Sequence, residues 1–61
     1  MFILLHEGYS LPGSDVYVNV NHIVRYSAGF NIPTLLFLTN GVQLQVLESP
    51  NEVRERINEV L

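Results

Sequence analysis

Short apolar runs, some alternating with polar residues, dominate the first three quarters of the chain. Residues 16–20 alternate strictly, with a valine at every second position, and this pattern is typical of a strand that buries one face. Residues 2–6 and 23–28 have a similar strand-like composition. Pro12-Gly13 suits a type II turn between the first two runs, because proline presets φ at the first central position and glycine accepts a positive φ at the second.

The strongest local signal is Asn40-Gly41, between β-rich runs at 34–39 and 42–47. This pair is typical of a two-residue type I′ hairpin turn, which needs a positive φ at both positions. Such a turn would fix the register of the hairpin, with Thr39 opposite Val42. The face predicted to join the core carries Leu35, Phe37, Val42, Leu44 and Val46. The opposite face carries three leucines that the hairpin cannot cover by itself: Leu36, Leu38 and Leu47.

A C-terminal helix is predicted to begin at Pro50. Ser49 and Glu52 have the spacing of a capping box, in which each side chain accepts the backbone N–H of the other residue. Pro50 would occupy the first helical position, where a missing N–H costs nothing. Four apolar residues follow on one helical face: Val53, Ile57, Val60 and Leu61. Because a helix of about 11 residues is marginal alone, this stripe is expected to dock on the sheet.

These elements predict a single domain over 1–61, of the mainly β (α+β) class. We expect a small five-strand antiparallel meander, with barrel-like closure left open, and one C-terminal α-helix packed across one face. A domain of this size buries only about 60% of the surface of its unfolded chain. The chain has no cysteine, so neither a disulfide nor a cysteine-zinc site supplements the small core. Oligomerisation is the remaining way in which so small a core could gain stability.

The charge balance bears on the choice of partner. The net charge is −3, with three arginines as the basic residues, whereas a nucleic-acid site needs a basic patch that displaces counterions from phosphates. Five aromatic residues could stack on bases: Tyr9, Tyr17, Tyr26, Phe30 and Phe37. A small β-barrel that binds nucleic acid is therefore the alternative function, and it would have to gather Arg25, Arg54 and Arg56 on one surface.

The opening apolar run is too short for a signal peptide or a membrane span. We therefore expect a cytoplasmic protein without membrane insertion, and the charge argument predicts no nucleic-acid partner.

Candidate catalytic and metal-binding residues are sparse. His6, Glu7, Asp15 and His22 are of the types that bind metals, but no pair of them has ligand spacing on a predicted helix or strand. The sequence shows no nucleophile elbow, oxyanion loop or Gly-rich phosphate loop. It therefore predicts a protein that is not an enzyme and that binds no cofactor or metal.

Residues 16–61 resemble the FlbD/SwrD family of small flagellar-motility proteins. The resemblance rests on Val18-Asn19, Ile23, Thr34-Leu35-Leu36-Phe37-Leu38-Thr39-Asn40-Gly41, Val46, Glu48-Ser49, Glu52-Val53 and Ile57. It implies a similar short β-meander, an "LTNG" hairpin, a helix that begins at an "ES..EV...I" pattern, and a flagellar role.

Hydrophobic residues make up 48% of the chain and charged residues 15%, against a usual charged fraction of about 25%. Some apolar surface is therefore expected on a contact face. The candidates are Leu36, Leu38, Leu47, Phe30 and Ile32. The function we expect is a non-catalytic protein–protein interaction or assembly module, homo-oligomeric and acting as an accessory factor of a larger bacterial or phage complex.

Overall fold

A computed structural model describes residues 1–9 and 11–61, and it confirms the predicted fold class. Five antiparallel strands precede one C-terminal helix. In chain order the elements are β1 (Phe2–His6), β2 (Asp15–Asn19), a short 3-10 helix (Val20–His22), β3 (Ile23–Ala28), β4 (Thr34–Leu38), β5 (Gln43–Val46) and α1 (Pro50–Val60). Each predicted strand and the helix form within one residue of the predicted bounds.

The turn between β1 and β2 forms as predicted. Gly13 has a φ of +86°, and the Ser14 N–H donates to the Leu11 carbonyl over 3.0 Å. A positive φ at the second central position, with this hydrogen bond across the turn, defines a type II turn.

The strands are divided between two sheets, β1–β2 and β3–β4–β5. One isolated bridge, between Glu7 and Val46, joins them. Around it the Gly8 N–H donates to the Gln45 carbonyl and the Leu47 N–H donates to the His6 carbonyl, both over 2.9 Å. The spatial order is therefore β2-β1-β5-β4-β3, and in the part of the chain that the structure describes β2 and β3 lie at the two ends without closing a barrel.

The loop between β4 and β5 has three residues, so the predicted two-residue type I′ turn is wrong. The Leu38 N–H donates to the Val42 carbonyl and the Gly41 N–H donates to the Leu38 carbonyl, each over 3.0 Å. Gly41 has a φ of +84°, whereas the φ of Asn40 is not positive. This is a type I turn followed by one left-handed glycine. Asn40 still supports the loop, because its side-chain oxygen accepts the Val42 N–H over 3.0 Å.

The extra loop residue shifts the pairing by one, which turns the side chains of β4 to the opposite face from the one predicted. Leu44 and Val46 of β5 stay on the core side, as the sequence predicted. Leu36 pairs with Leu44, and Thr34 with Val46. Leu36 is fully buried, and Leu38 packs against the same core. The prediction of Leu36 as an interface residue is therefore wrong, and Leu38 lies on the inner face instead of the outer face where the sequence placed it.

The outer face of the hairpin holds residues that the two-residue turn would have placed in the core. Leu35 pairs with Gln45 and Phe37 with Gln43, and both apolar residues are only half-buried. Leu47 stays exposed, as the sequence predicted.

The core lies between the inner faces of the two sheets and α1. Its buried apolar residues are Ile3, Leu5, Val18, Leu36, Val46 and Val53. Partly buried side chains from β2, β3, β4, β5, the 3-10 helix and α1 pack around them. The helix packs mainly against β1 and β3.

The predicted capping box at the start of α1 is confirmed. The Ser49 hydroxyl accepts the Glu52 N–H over 3.2 Å, and the Glu52 carboxylate accepts the Ser49 N–H over 3.0 Å. Val53, Ile57 and Val60 face the core as predicted. Leu61 does not join them: α1 ends at Val60, and Leu61 is 83% exposed.

Candidate functional site

Glu48 is a buried carboxylate at the junction of β5 and α1, with a side chain that is 6% exposed. Its Oε1 accepts the His6 backbone N–H over 2.9 Å, and its Oε2 lies 2.6 Å from His6 Nδ1. Burial by itself would raise the pKa of Glu48, but the hydrogen bonds from the His6 ring and backbone lower it below its ordinary value of 4.5. Glu48 is therefore held as a carboxylate.

Glu48 and Arg56 together cover the edge of β1 beyond the point where β5 ends. The His6 carbonyl accepts the Leu47 N–H from the β5 side. Farther along β1, the His6 N–H is bonded to Glu48 and the Leu4 carbonyl accepts from Arg56 Nη1, which lies 3.8 Å from Glu48 Oε2. A carboxylate and a guanidinium thus take the places of the carbonyl and amide of a neighbouring strand. These hydrogen bonds give the Glu48 carboxylate and the Arg56 guanidinium a structural role at the edge of β1.

The same junction is anchored to β4 by a buried threonine. The Thr34 hydroxyl is completely buried and donates to the Glu48 carbonyl over 2.6 Å. The buried donor and acceptor are both satisfied, as interior polar groups must be.

The structure brings together two of the four residues considered as metal ligands. His6 Nε2 lies 3.4 Å from Asp15 Oδ1, while Glu48 approaches Nδ1 on the opposite side of the ring. One ion could not contact all three groups in that arrangement. Across residues 1–9 and 11–61, no three potential ligands lie together as a metal site requires. His22 lies elsewhere, with its Nδ1 2.9 Å from Thr39 Oγ1.

The loop over 29–33, between β3 and β4, displays Phe30. The Gly29 N–H donates to the Pro33 carbonyl over 3.3 Å. The Ile32 side chain folds back so closely that a Cβ added at Gly29 would lie 2.4 Å from Ile32 Cγ1. Asn31 has a φ of 62°, in the left-handed region that asparagine tolerates better than most residues. Ile32 thus packs inside its own loop, whereas Phe30 is 91% exposed.

An open depression of about 210 Å³ lies beside β5, lined by Glu7, Tyr9, Gln43, Leu44 and Gln45. Small-molecule pockets usually measure about 300–1,000 Å³, so this one is small for a metabolite or cofactor. An engineered apolar cavity of about 150 Å³ binds benzene. The depression therefore has room for one aromatic ring.

The outer face of the three-stranded sheet is mixed in character. Arg25 pairs with Phe37, and its guanidinium carbon lies 4.2 Å from the ring centroid in a cation–π contact. Exposed Ser27 and Gln43 border this pair. Polar side chains therefore interrupt the apolar surface of Leu35 and Phe37.

The arginines are distributed over separate parts of the molecule. Arg25 stacks on Phe37, whereas Arg56 is bonded to the edge of β1. Arg54 is exposed on α1. Two of the three arginines that the nucleic-acid alternative needs on one surface are thus held in separate contacts on different sheets.

The chain matches no protein-family model, no curated protein and no solved structure at a significant level. The resemblance to the FlbD/SwrD family therefore stays a prediction. Among the residues that the structure describes, no helix combines the length and apolar character needed to cross a bilayer.

Proposed function

We propose that this protein is a non-catalytic interaction module, which assembles with itself and serves as a cytoplasmic accessory factor of a larger bacterial or phage complex. The display of Phe30 carries this proposal. A phenylalanine that is 91% exposed gains nothing from its own fold, yet the loop that presents it is tightly packed on itself. Aromatic side chains on preorganised loops are typical anchors of protein interfaces.

A second group of apolar side chains lies on the outer face of β1–β2. Leu4 pairs with Tyr17, and Phe2 pairs with Asn19 on the same face. Phe2 is 62% exposed and Tyr17 is 65% exposed. Scattered apolar residues on a surface are ordinary, but adjacent ones are more often contact surface. This group supports an interaction role independently of Phe30.

The resemblance to the FlbD/SwrD family adds the proposal that the larger complex is of the flagellar type. Most of the residues that carry the resemblance lie in the hairpin around Asn40-Gly41 and at the capped start of α1.

Sedimentation equilibrium of the intact chain tests self-assembly. The expected result is a mass that is a small multiple of 6.9 kDa, together with a melting temperature that rises with protein concentration, because association stabilises the folded state by mass action. A 6.9 kDa species at every concentration, with a concentration-independent melt, would overturn the proposal of a homo-oligomer.

A further inference from the structure

We propose that His6 is a pH-sensitive switch, which holds the loop between β1 and β2 in place when its ring is protonated and loosens that loop when the ring is neutral. The proposal goes beyond the interaction role and does not rest on it, since it applies equally to a monomer and to an oligomer. It is based on the position of one imidazole ring between two carboxylates.

Each nitrogen of the His6 ring lies beside a different acidic residue. Nδ1 is 2.6 Å from Oε2 of Glu48, and Nε2 is 3.4 Å from Oδ1 of Asp15. The first contact is a hydrogen bond at the junction of β5 and α1, whereas the second is a longer charge contact at the start of β2. One side chain of β1 therefore connects two other parts of the fold.

The two contacts respond differently when the ring loses a proton. An imidazolium carries a proton on both nitrogens and attracts both carboxylates, whereas a neutral imidazole carries only one proton. Glu48 is buried and its lowered pKa keeps it a carboxylate, so the remaining proton stays on Nδ1. The lone pair of Nε2 then faces Asp15 Oδ1, and repulsion replaces attraction. Histidine side chains ordinarily change charge between about pH 5 and 8.

The other charged groups near the ring leave this effect in place. Arg56 of α1 lies 3.8 Å from Oε2 of Glu48, and arginine keeps its charge throughout this pH range. Glu7 follows His6 in the chain but pairs with Val46, on the opposite face of the strand. Among the residues that the structure describes, Asp15 and Glu48 are therefore the acids that face the ring.

The Asp15 contact lies at the base of the loop between β1 and β2. Beside it, the Glu7 N–H donates to the Ser14 carbonyl over 2.9 Å, and the Gly13 N–H donates to the Glu7 carbonyl over 2.8 Å. The loop also carries Tyr9, which is 72% exposed. Repulsion at Asp15 should loosen the two hydrogen bonds, so the presentation of this aromatic side chain would depend on pH.

Amide hydrogen exchange measured by NMR at about pH 5.5 and 7.5 tests the switch, with each rate divided by that of an unstructured chain at the same pH. Because the side chains of His6 and Asp15 are partly exposed, the protection of the Glu7 and Gly13 amides should fall about two- to fivefold at the higher pH, as loss of an exposed ion pair implies. The Leu38 N–H, bonded in the hairpin loop, should keep its protection. An equal fall at all three amides would overturn a local switch.

Two substitutions separate the switch from other effects of pH. Asp15→Asn keeps the shape of the side chain and removes its charge, so the protection of the Glu7 and Gly13 amides should no longer depend on pH. The matched control is His22→Asn, which removes the other histidine, whose ring contacts Thr39 and no acid. It should leave the pH-dependent fall unchanged. A fall that survives Asp15→Asn, or that disappears in His22→Asn, would overturn the proposal.

The tautomer of the His6 ring gives a readout that a purely structural histidine would not share. The nitrogen chemical shifts of the neutral ring should show the proton on Nδ1, beside Glu48, and a bare Nε2, beside Asp15. A neutral ring with its proton on Nε2 would keep a favourable contact with Asp15 at high pH and would overturn the switch.

Discussion

Replacing Glu48 with alanine should destabilise the protein more than any other substitution of an acidic residue. The change removes the acceptor of the His6 N–H and the partner of His6 Nδ1. It also removes the carboxylate beside Arg56. Because Glu48 is buried, water cannot simply take its place at all three groups.

The magnitude follows from the groups left behind. A hydrogen bond to a charged group contributes about 1.5–3 kcal/mol, and a buried donor without a partner costs about 1–3 kcal/mol. The His6 side chain is 37% exposed and still has Asp15 beside it, so its ring loses less than its backbone N–H does. We expect a loss of about 2–4 kcal/mol, out of a total of roughly 3–9 kcal/mol for a domain of this length.

Urea unfolding followed by circular dichroism measures the loss. Glu55→Ala is the control, because Glu55 is an exposed acid on the same helix and should change the stability by less than about 0.5 kcal/mol. A Glu48→Ala variant as stable as that control would refute the view that the carboxylate completes the edge of β1.

The dependence of stability on pH gives a second readout. The pKa of Glu48 is lowered in the folded protein, so its carboxylate stabilises the fold above the ordinary value of 4.5 and loses this effect as the pH falls through the folded value. The parent should therefore lose more stability on acidification than Glu48→Gln does. The pKa of Glu52 is also lowered, by hydrogen bonds from the Ser49 backbone and side chain, and this background is common to both chains.

Four further predictions concern the cap, the core, the loop and the charge. Ser49→Ala should cost about 0.5–2 kcal/mol through loss of the capping box, and an unchanged thermal melt would contradict it. Leu36→Ala should lower the free energy of unfolding in urea by about 2–5 kcal/mol. A loss as small as that of an exposed leucine would instead support the two-residue turn. Gly29→Ala should cost roughly 1–3 kcal/mol by overpacking against Ile32, with Ser27→Ala as a near-neutral control in the same thermal melts. Fluorescence titration at physiological salt should show no appreciable oligonucleotide binding, and micromolar binding with a steep salt dependence would favour the alternative function.

The elements could be predicted because their signals are local. The capping box at Ser49, the valines of residues 16–20 and the turn at Pro12-Gly13 each depend on residues within a few positions of one another. No distant contact had to be known for these signals to specify their elements.

The length of the hairpin loop could not be predicted in the same way. Asn40-Gly41 suits a two-residue turn, and it equally suits a type I turn with Gly41 in the left-handed region. The three-residue loop shifts the pairing of β4 with β5 by one residue, so Leu36 and Phe37 lie on the opposite faces from those predicted. One local ambiguity thus misplaced two of the five interface candidates.

The role of Glu48 was hidden for a different reason. Its partner His6 lies 42 positions away in the chain, and no periodicity connects the two residues. Apart from its part in the family resemblance, the only sequence feature at Glu48 was its place just before the cap of α1. Such long-range polar contacts are visible only after the core has placed β1 beside the start of the helix.

The side-chain cover on β1 also bears on how this protein would aggregate. Phe2-Ile3-Leu4-Leu5 is an uncharged apolar segment without proline, the composition that favours stacking of strands between chains. The side chains of Glu48 and of Arg56 on α1 cover its free edge through hydrogen bonds to the backbone. This cover therefore depends on a folded helix. A chain whose helix frays would expose a ready template for a foreign strand. We therefore expect variants weakened in α1 to leave solution as β-rich aggregates before the sheets themselves unfold.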